Sequence, residues 1–170
     1  MAPEDVEKEN EARKANLERD STSPGGRLDR RGIAIDAIRD KVEKFAVAIP
    51  SWGVGTGGTR FARFPGAGEP RDIFDKIEDC AVIQQLTQAT PTVSLHIPWD
   101  RVDDYAELAK FAADHGVQLG VINANTFQDD DYRLGSVCHA DPAVRRKAVA
   151  HLVDCVDVMD ATGSRDLKLW

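Results

Sequence analysis

Three residue sets in this chain have the types and spacing to do chemistry. The first is the loop "PSWGVGTGGTRFARFPG" from Pro50, where Gly53, Gly55 and Gly58 match G-x-G-x-x-G behind the apolar run "FAVAI". In a dinucleotide site the third glycine opens a helix whose N-terminus faces the pyrophosphate. Here Pro65, Gly66, Gly68 and Pro70 follow and prevent an immediate helix. The same loop fails as a P-loop, because Thr59-Arg60 stands where Lys-Ser/Thr is required. Phosphate binding is therefore not expected. The loop instead sets Trp52, Phe61 and Phe64 among small residues. Two readings stay open for it: a wall or lid over a small ligand, or a surface loop whose rings pack on the sheet.

The second set is His96 in "VSLHI", on the same strand face as Ser94 and followed by Pro98 and Trp99. The third is Asn123, Asn125 and Phe127 in "VQLGVINANTF". A histidine in an apolar strand is commonly a satisfied core residue. This one shares the ends of consecutive strands with Trp52, two asparagines and Trp170, a lining suited to a polyhydroxylated ligand, and so it is read as functional.

The elements that position these residues follow from periodicity. "FAVAIP" (45–50), "VSLHI" (93–97), "VQLGVINANTF" (117–127) and "DLKLW" (166–170) read as strands. Between them lie amphipathic segments. "RDIFDKIEDCAVIQQLTQAT" places Ile73, Ile77, Ala81 and Val82 on one face, with Leu86 nearby. "DRVDDYAELAKFAADHG" closes on Gly116 as a C-terminal cap. "DPAVRRKAVAHLVDCVDVMDATG" begins with Asp141 as N-cap and Pro142 at the first helical position, ending near Gly163. The β-α-β-α-β-α-β order predicts an α/β protein with a parallel sheet. Catalytic groups of parallel barrels sit at the C-terminal ends of the strands, where all three sets fall. With four strands and no helix after the last, the chain is expected to be the front part of a longer α/β fold.

Residues 1–32 read as a charged helical arm and linker, with breakers in "STSPGGRLDRRG", and 33–170 as an incomplete barrel domain. Ile33, Ile35, Ile38 and Val42 predict a short packed helix at the junction.

Composition narrows the function classes. The 29 acidic side chains outnumber 22 basic ones, for a net charge of -7, against a nucleic-acid binder. No apolar run approaches the roughly 20 residues that span a bilayer, and the N-terminus lacks a secretory apolar region. A cytoplasmic protein without a membrane partner is expected. Cys80, Cys138 and Cys155 fit no C-x-x-C spacing and read as buried free thiols. His115 and His151 read as structural, and His139 as a turn or site-edge residue. The run Asp129-Asp130-Asp131 reads as a solvated loop tip. No His, Asp or Glu set has the spacing of a complete metal site, and there is no G-x-S-x-G turn.

The run "FAVAIPSWGVGTGGTRFARFPGAGEPRDIFDKIEDCAVIQQLTQATPTVSLHIPWD", together with "GSVCHADPAVRRKAV", resembles the N-terminal part of broad-specificity bacterial L-rhamnose isomerases, which are xylose-isomerase-like TIM barrels. The resemblance runs from about Val42 to Trp170 and is weak over 1–40. It implies the first half, about four β/α units, of a (β/α)8 barrel that interconverts an aldose and a ketose by metal-dependent hydrogen transfer, with Mn2+ or another divalent metal as cofactor. It implies that His96 is catalytic, binding the sugar near its ring oxygen and assisting ring opening, and that Trp52 and Trp170 line the pocket. Phe61 would reach into an adjacent subunit of a homotetramer. The family's metal ligands lie on later strands, so this segment is expected to hold no metal and to be inactive alone. Two other readings remain: a related barrel epimerase or isomerase, and a non-catalytic half-barrel that pairs with itself or with a separate C-terminal half.

Overall fold

Strands form where β-branched and aliphatic residues run together, and the helices between them start on aspartates. In the computed structural model, which describes residues 4, 7–15, 18, 31–55 and 66–169, the chain divides into two compact units, Met1–Phe45 and Ala46–Trp170.

In the first unit, residues 7–15 are helical and α1 spans Ile35–Glu43. The expected spacing does form a helix, but no residue of α1 is buried, and Val42 is 68% exposed. Exposed ion pairs at helical spacing, Arg13 with Glu9 and Arg39 with Asp36, decorate these helices. Such pairs are worth only tenths of a kcal/mol.

The second unit is built in the order β1 (Ala48–Pro50), α2 (Ser51–Val54), α3 (Ile73–Thr87), β2 (Thr92–Ile97), α4 (Tyr105–Asp114), β3 (Gln118–Ala124), a 3-10 turn (Asp130–Leu134), α5 (Pro142–Thr162) and β4 (Leu167–Lys168). The four strands make one parallel sheet in the order β1-β2-β3-β4. Strands laid down side by side in chain order, with helices in the crossovers, are the arrangement of consecutive units in an α/β barrel, and the sheet is consistent with part of one. Five of the six β2 residues are buried, as a strand covered on both faces requires.

Each long helix begins on a side-chain cap. Asp72 accepts from the Phe74 and Asp75 amides, Asp104 from those of Ala106 and Glu107, and Asp141 from that of Ala143. Each cap satisfies donors that the first turn leaves open. Gly116 and Gly163 close α4 and α5 at φ of +79° and +72°, as read from the sequence. α3 ends differently, on Gln88 at φ 54°.

Ile77, Val93, Leu95, Ile97, Leu108 and Ile122 are fully buried between sheet and helices. At roughly 1.5–3 kcal/mol per buried aliphatic side chain, this cluster dominates the unit's stability. The face predicted for α3 holds at Ile73, Ile77 and Ala81. Val82 and Leu86, by contrast, are 53% and 81% exposed, and Cys80 and Lys76 take the buried positions.

Two local departures matter for the site. α2 is a single helical turn directly after β1, where the sequence reads as loop. A bulge also lies between β2 and β3: Val93 pairs with Leu119, but Leu95 pairs with Ile122, so β3 carries one extra residue. Gly120 sits in this stretch, and a Cβ there would come within 3.2 Å of the Thr92 Cβ. Had the first register continued, His96 would face Ile122. The bulge brings Asn123 beside it instead.

Candidate functional site

The C-terminal end of β2 gathers most of the predicted residues. His96 is 2% exposed, and its imidazole stacks on the Trp99 indole with centroids 3.7 Å apart and planes 18° from parallel. Trp52, on α2, meets it edge-on at 5.3 Å, and Phe127, after β3, edge-on at 6.1 Å. Three aromatic rings from three strand ends thus enclose one histidine. Within this cage the buried His96 Nδ1 has no hydrogen-bond partner among the described residues. An unmet buried polar atom costs about 1–3 kcal/mol, so its retention calls for an explanation.

Burial acts first on the charge of this ring. Removal from water pushes the His96 pKa down to about 4, against a smaller opposing pull from the Asp100 carboxylate. At neutral pH the imidazole is uncharged, with one ring nitrogen a donor and the other an acceptor.

Beneath the cage lies a polar cluster that the sequence reading missed. Asp100 is 1% exposed. Its Oδ1 accepts from Lys76 Nζ at 2.8 Å, and its Oδ2 accepts from the His96 amide at 2.7 Å and from the Ser51 hydroxyl. The Asp100 amide in turn donates to the His96 carbonyl at 2.9 Å, closing a turn around the cis Ile97-Pro98 bond. One signal was available: Lys76 stands on the apolar stripe of α3 between Ile73, Ile77 and Cys80, where a buried lysine needs an acidic partner.

Asn123, read as lining, is 2% exposed, and its Nδ2 donates to the Leu95 carbonyl at 2.9 Å. It therefore braces β2 beside His96. Asn125 donates to the Gln128 Oε1, which also accepts from the Trp99 indole, both at 2.9 Å. Gln128 thus ties the β3 loop to the ring stacked on His96. Phe61 and Trp170 lie outside the described residues.

The remaining polar residues have local work. His115 Nδ1 lies 2.8 Å from the Phe111 carbonyl, and His139 Nδ1 accepts from the Asp141 amide at 2.9 Å, making it a turn residue. His151 lies 3.8 Å from the Cys155 sulfur. Asp129 and Asp131 are not merely solvated, since Lys147 Nζ donates to both at 2.7 Å. Cys80 and Cys155 are buried free thiols as expected, whereas Cys138 is exposed. A separate cleft of about 530 Å3, lined by Pro98, Asn125, Tyr132, Lys147, His151 and Asp154 among others, borders α5 and does not include His96.

For a divalent metal the donors present do not fit. Among the described residues no group of three or more His, Cys, Asp or Glu could hold one. Asp100, the carboxylate nearest the cage, has both oxygens committed to Lys76, Ser51 and the His96 amide. Among the described residues no helix is long and apolar enough to cross a membrane.

No family model matches the chain. Two curated relatives do. The chain is 63% identical over 175 aligned positions to a "probable sugar isomerase" of Mesorhizobium japonicum, an alignment covering all of this chain and 40% of the relative. It is 55% identical over 170 positions to a "probable sugar isomerase" of Rhizobium meliloti, covering 97% of this chain and 40% of the relative. The chain spans about two fifths of the length of the curated relatives it matches.

Proposed function

We propose that this chain is the front part of a sugar isomerase that interconverts an aldose and a ketose, with L-rhamnose and L-rhamnulose as the pair. The carrying observation is the neutral, enclosed His96 with an unmet Nδ1, held between Trp52 and Trp99 at the ends of parallel strands. The names of the two relatives support the same reaction class.

Indole faces pack on the C–H faces of sugars, and an uncharged imidazole exchanges hydrogen bonds with a hydroxyl or a ring oxygen in either direction. A sugar oxygen supplies the partner that Nδ1 lacks. Because that atom is buried, part of its cover moves aside when the sugar enters. His96 then orients the sugar and moves a proton at its ring oxygen during opening. Its low pKa makes it a weak base at neutral pH, so a proton it takes up from the sugar is passed on at once and not held as charge. Trp52 and Trp170 wall the pocket, and Phe61 closes it from a neighbouring subunit of a homotetramer. The fold in this reading is a xylose-isomerase-like (β/α)8 barrel in the cytoplasm. Manganese or another divalent metal is held by residues on later strands, past Trp170, so the 170-residue chain alone is inactive.

The test is ketose formation by the protein at its native length, incubated with manganese and a panel of aldoses. L-rhamnose as the best substrate supports the proposal, and another aldose as the best shifts it to a related barrel isomerase. No turnover of any aldose overturns it. That result favours a half-barrel that pairs with itself or a separate half, which light scattering would detect as a stable assembly.

A further inference from the structure

We infer that Asp100 is a positioning residue for this site, its carboxylate fastening together the chain segments that carry Trp52, His96 and Trp99. The inference rests on the sugar-site reading above, and names the residues that set the geometry of that site.

The carboxylate holds groups that sit beside the rings of the site. Ser51 immediately precedes Trp52, the His96 amide belongs to the histidine itself, and Asp100 immediately follows Trp99. Each of the three rings is therefore within one residue of a bond to the same carboxylate. The fourth group, Lys76, reaches in from α3 and is 6% exposed. It neutralises the carboxylate and fixes where its Oδ1 points. The two oxygens divide the work, Oδ2 holding α2 and β2 together and Oδ1 holding α3 against both.

Lys76 also accounts for one glycine of the Pro50 loop. A Cβ at Gly55 would run into the Lys76 side chain, so Gly55 leaves the path along which the lysine reaches Asp100. Buried ion pairs can often be replaced by apolar residues at no cost in stability. A pair present only to hold the fold would not need its carboxylate also to accept from Ser51, beside Trp52, and from the His96 amide.

The experiment uses the protein at its native length with histidine labelled for NMR, the His96 signal being assigned from His96→Asn. An imidazole stacked at 3.7 Å on an indole has ring-current-shifted C–H signals, which report the cage without any reference to activity. The main variant is Lys76→Met/Asp100→Leu, which removes both charges. The expected result is a folded protein with a melting temperature lowered by the two donors left unmet, the Ser51 hydroxyl and the His96 amide, and a His96 signal moved toward the free-histidine position. KM for L-rhamnose should rise about tenfold or more, with kcat changed by less than about threefold. Ser51→Ala removes one donor, leaves the pair intact and serves if the double variant does not fold. It should move the same two readouts in the same direction, by about threefold in KM. If a folded variant keeps both the His96 signal and KM, the positioning role is wrong. If the parent turns over no sugar, the proposed function fails, and the His96 signal alone still decides whether Asp100 positions the cage.

Discussion

Acid should weaken this fold through His96 in a way that can be worked out from its surroundings. Burial lowers the folded-state pKa from 6.5 to about 4, so between those values the unfolded chain binds a proton that the folded chain refuses. Stability therefore rises with pH across this window. The contribution is complete above pH 6.5 and is lost as pH falls toward 4. With the folded pKa at about 4 and the unfolded at 6.5, the loss comes to about 3 kcal/mol by pH 4 and roughly half of that by pH 5.5. At 2% exposure the ring has little solvent to screen this effect. The perturbation is His96→Asn, which removes the titrating group. Urea unfolding of parent and variant at pH 7, 5.5 and 4 gives the difference in stability at each pH. That difference should shift by about 3 kcal/mol against the parent between pH 7 and 4. An NMR titration of the parent should place the His96 pKa below 5. A His96 pKa near 6.5 with a pH-independent difference would refute the reasoning, since the ring would then be hydrated and free to carry charge at the site.

Burial and neighbouring carboxylates push the Cys80 and Cys155 thiols up to about 11, so alkylation of the native protein followed by peptide mapping should modify exposed Cys138 rapidly and those two only in denaturant. Asp141→Ala removes the cap of α5 and should cost about 1 kcal/mol in unfolding free energy, with Asp141→Asn restoring most of it. Gly120→Ala forces a contact with Thr92 next to the bulge that aligns Asn123 with His96. It should destabilise by about 1–3 kcal/mol in urea unfolding and raise KM as the strands shift.

The frame of the sheet was legible because it is written in local signals. Asp141-Pro142 and Gly163 bracket α5, Gly116 closes α4, and the strand runs read at 93–97 and 117–127 need only periodicity to be seen, the second ending earlier, at Ala124. His96 was legible because its position at a strand end, beside Trp99, is a matter of counting. The clamp was not legible. Lys76 and Asp100 are 24 residues apart, and Ser51 and Asp100 are 49 apart, so only the packing of α2 and α3 on β2 brings them together. The bulge at Gly120 escaped for a related reason, since a glycine in a strand marks irregularity without saying which register follows. Nor did the sequence show that Val82 and Leu86 face outward. Val82 immediately follows buried Ala81, and Leu86 falls in the last turn of α3, past the stretch the sheet covers, so which of these residues is buried depends on where the sheet meets the helix.

The most direct test is a crystal structure of the native-length protein grown with L-rhamnose. A sugar oxygen is expected within hydrogen-bond distance of the His96 imidazole, with Trp52 or Trp99 packed on the sugar face. A sugar bound elsewhere, with the His96 cage closed and Nδ1 still without a partner, would contradict the proposal.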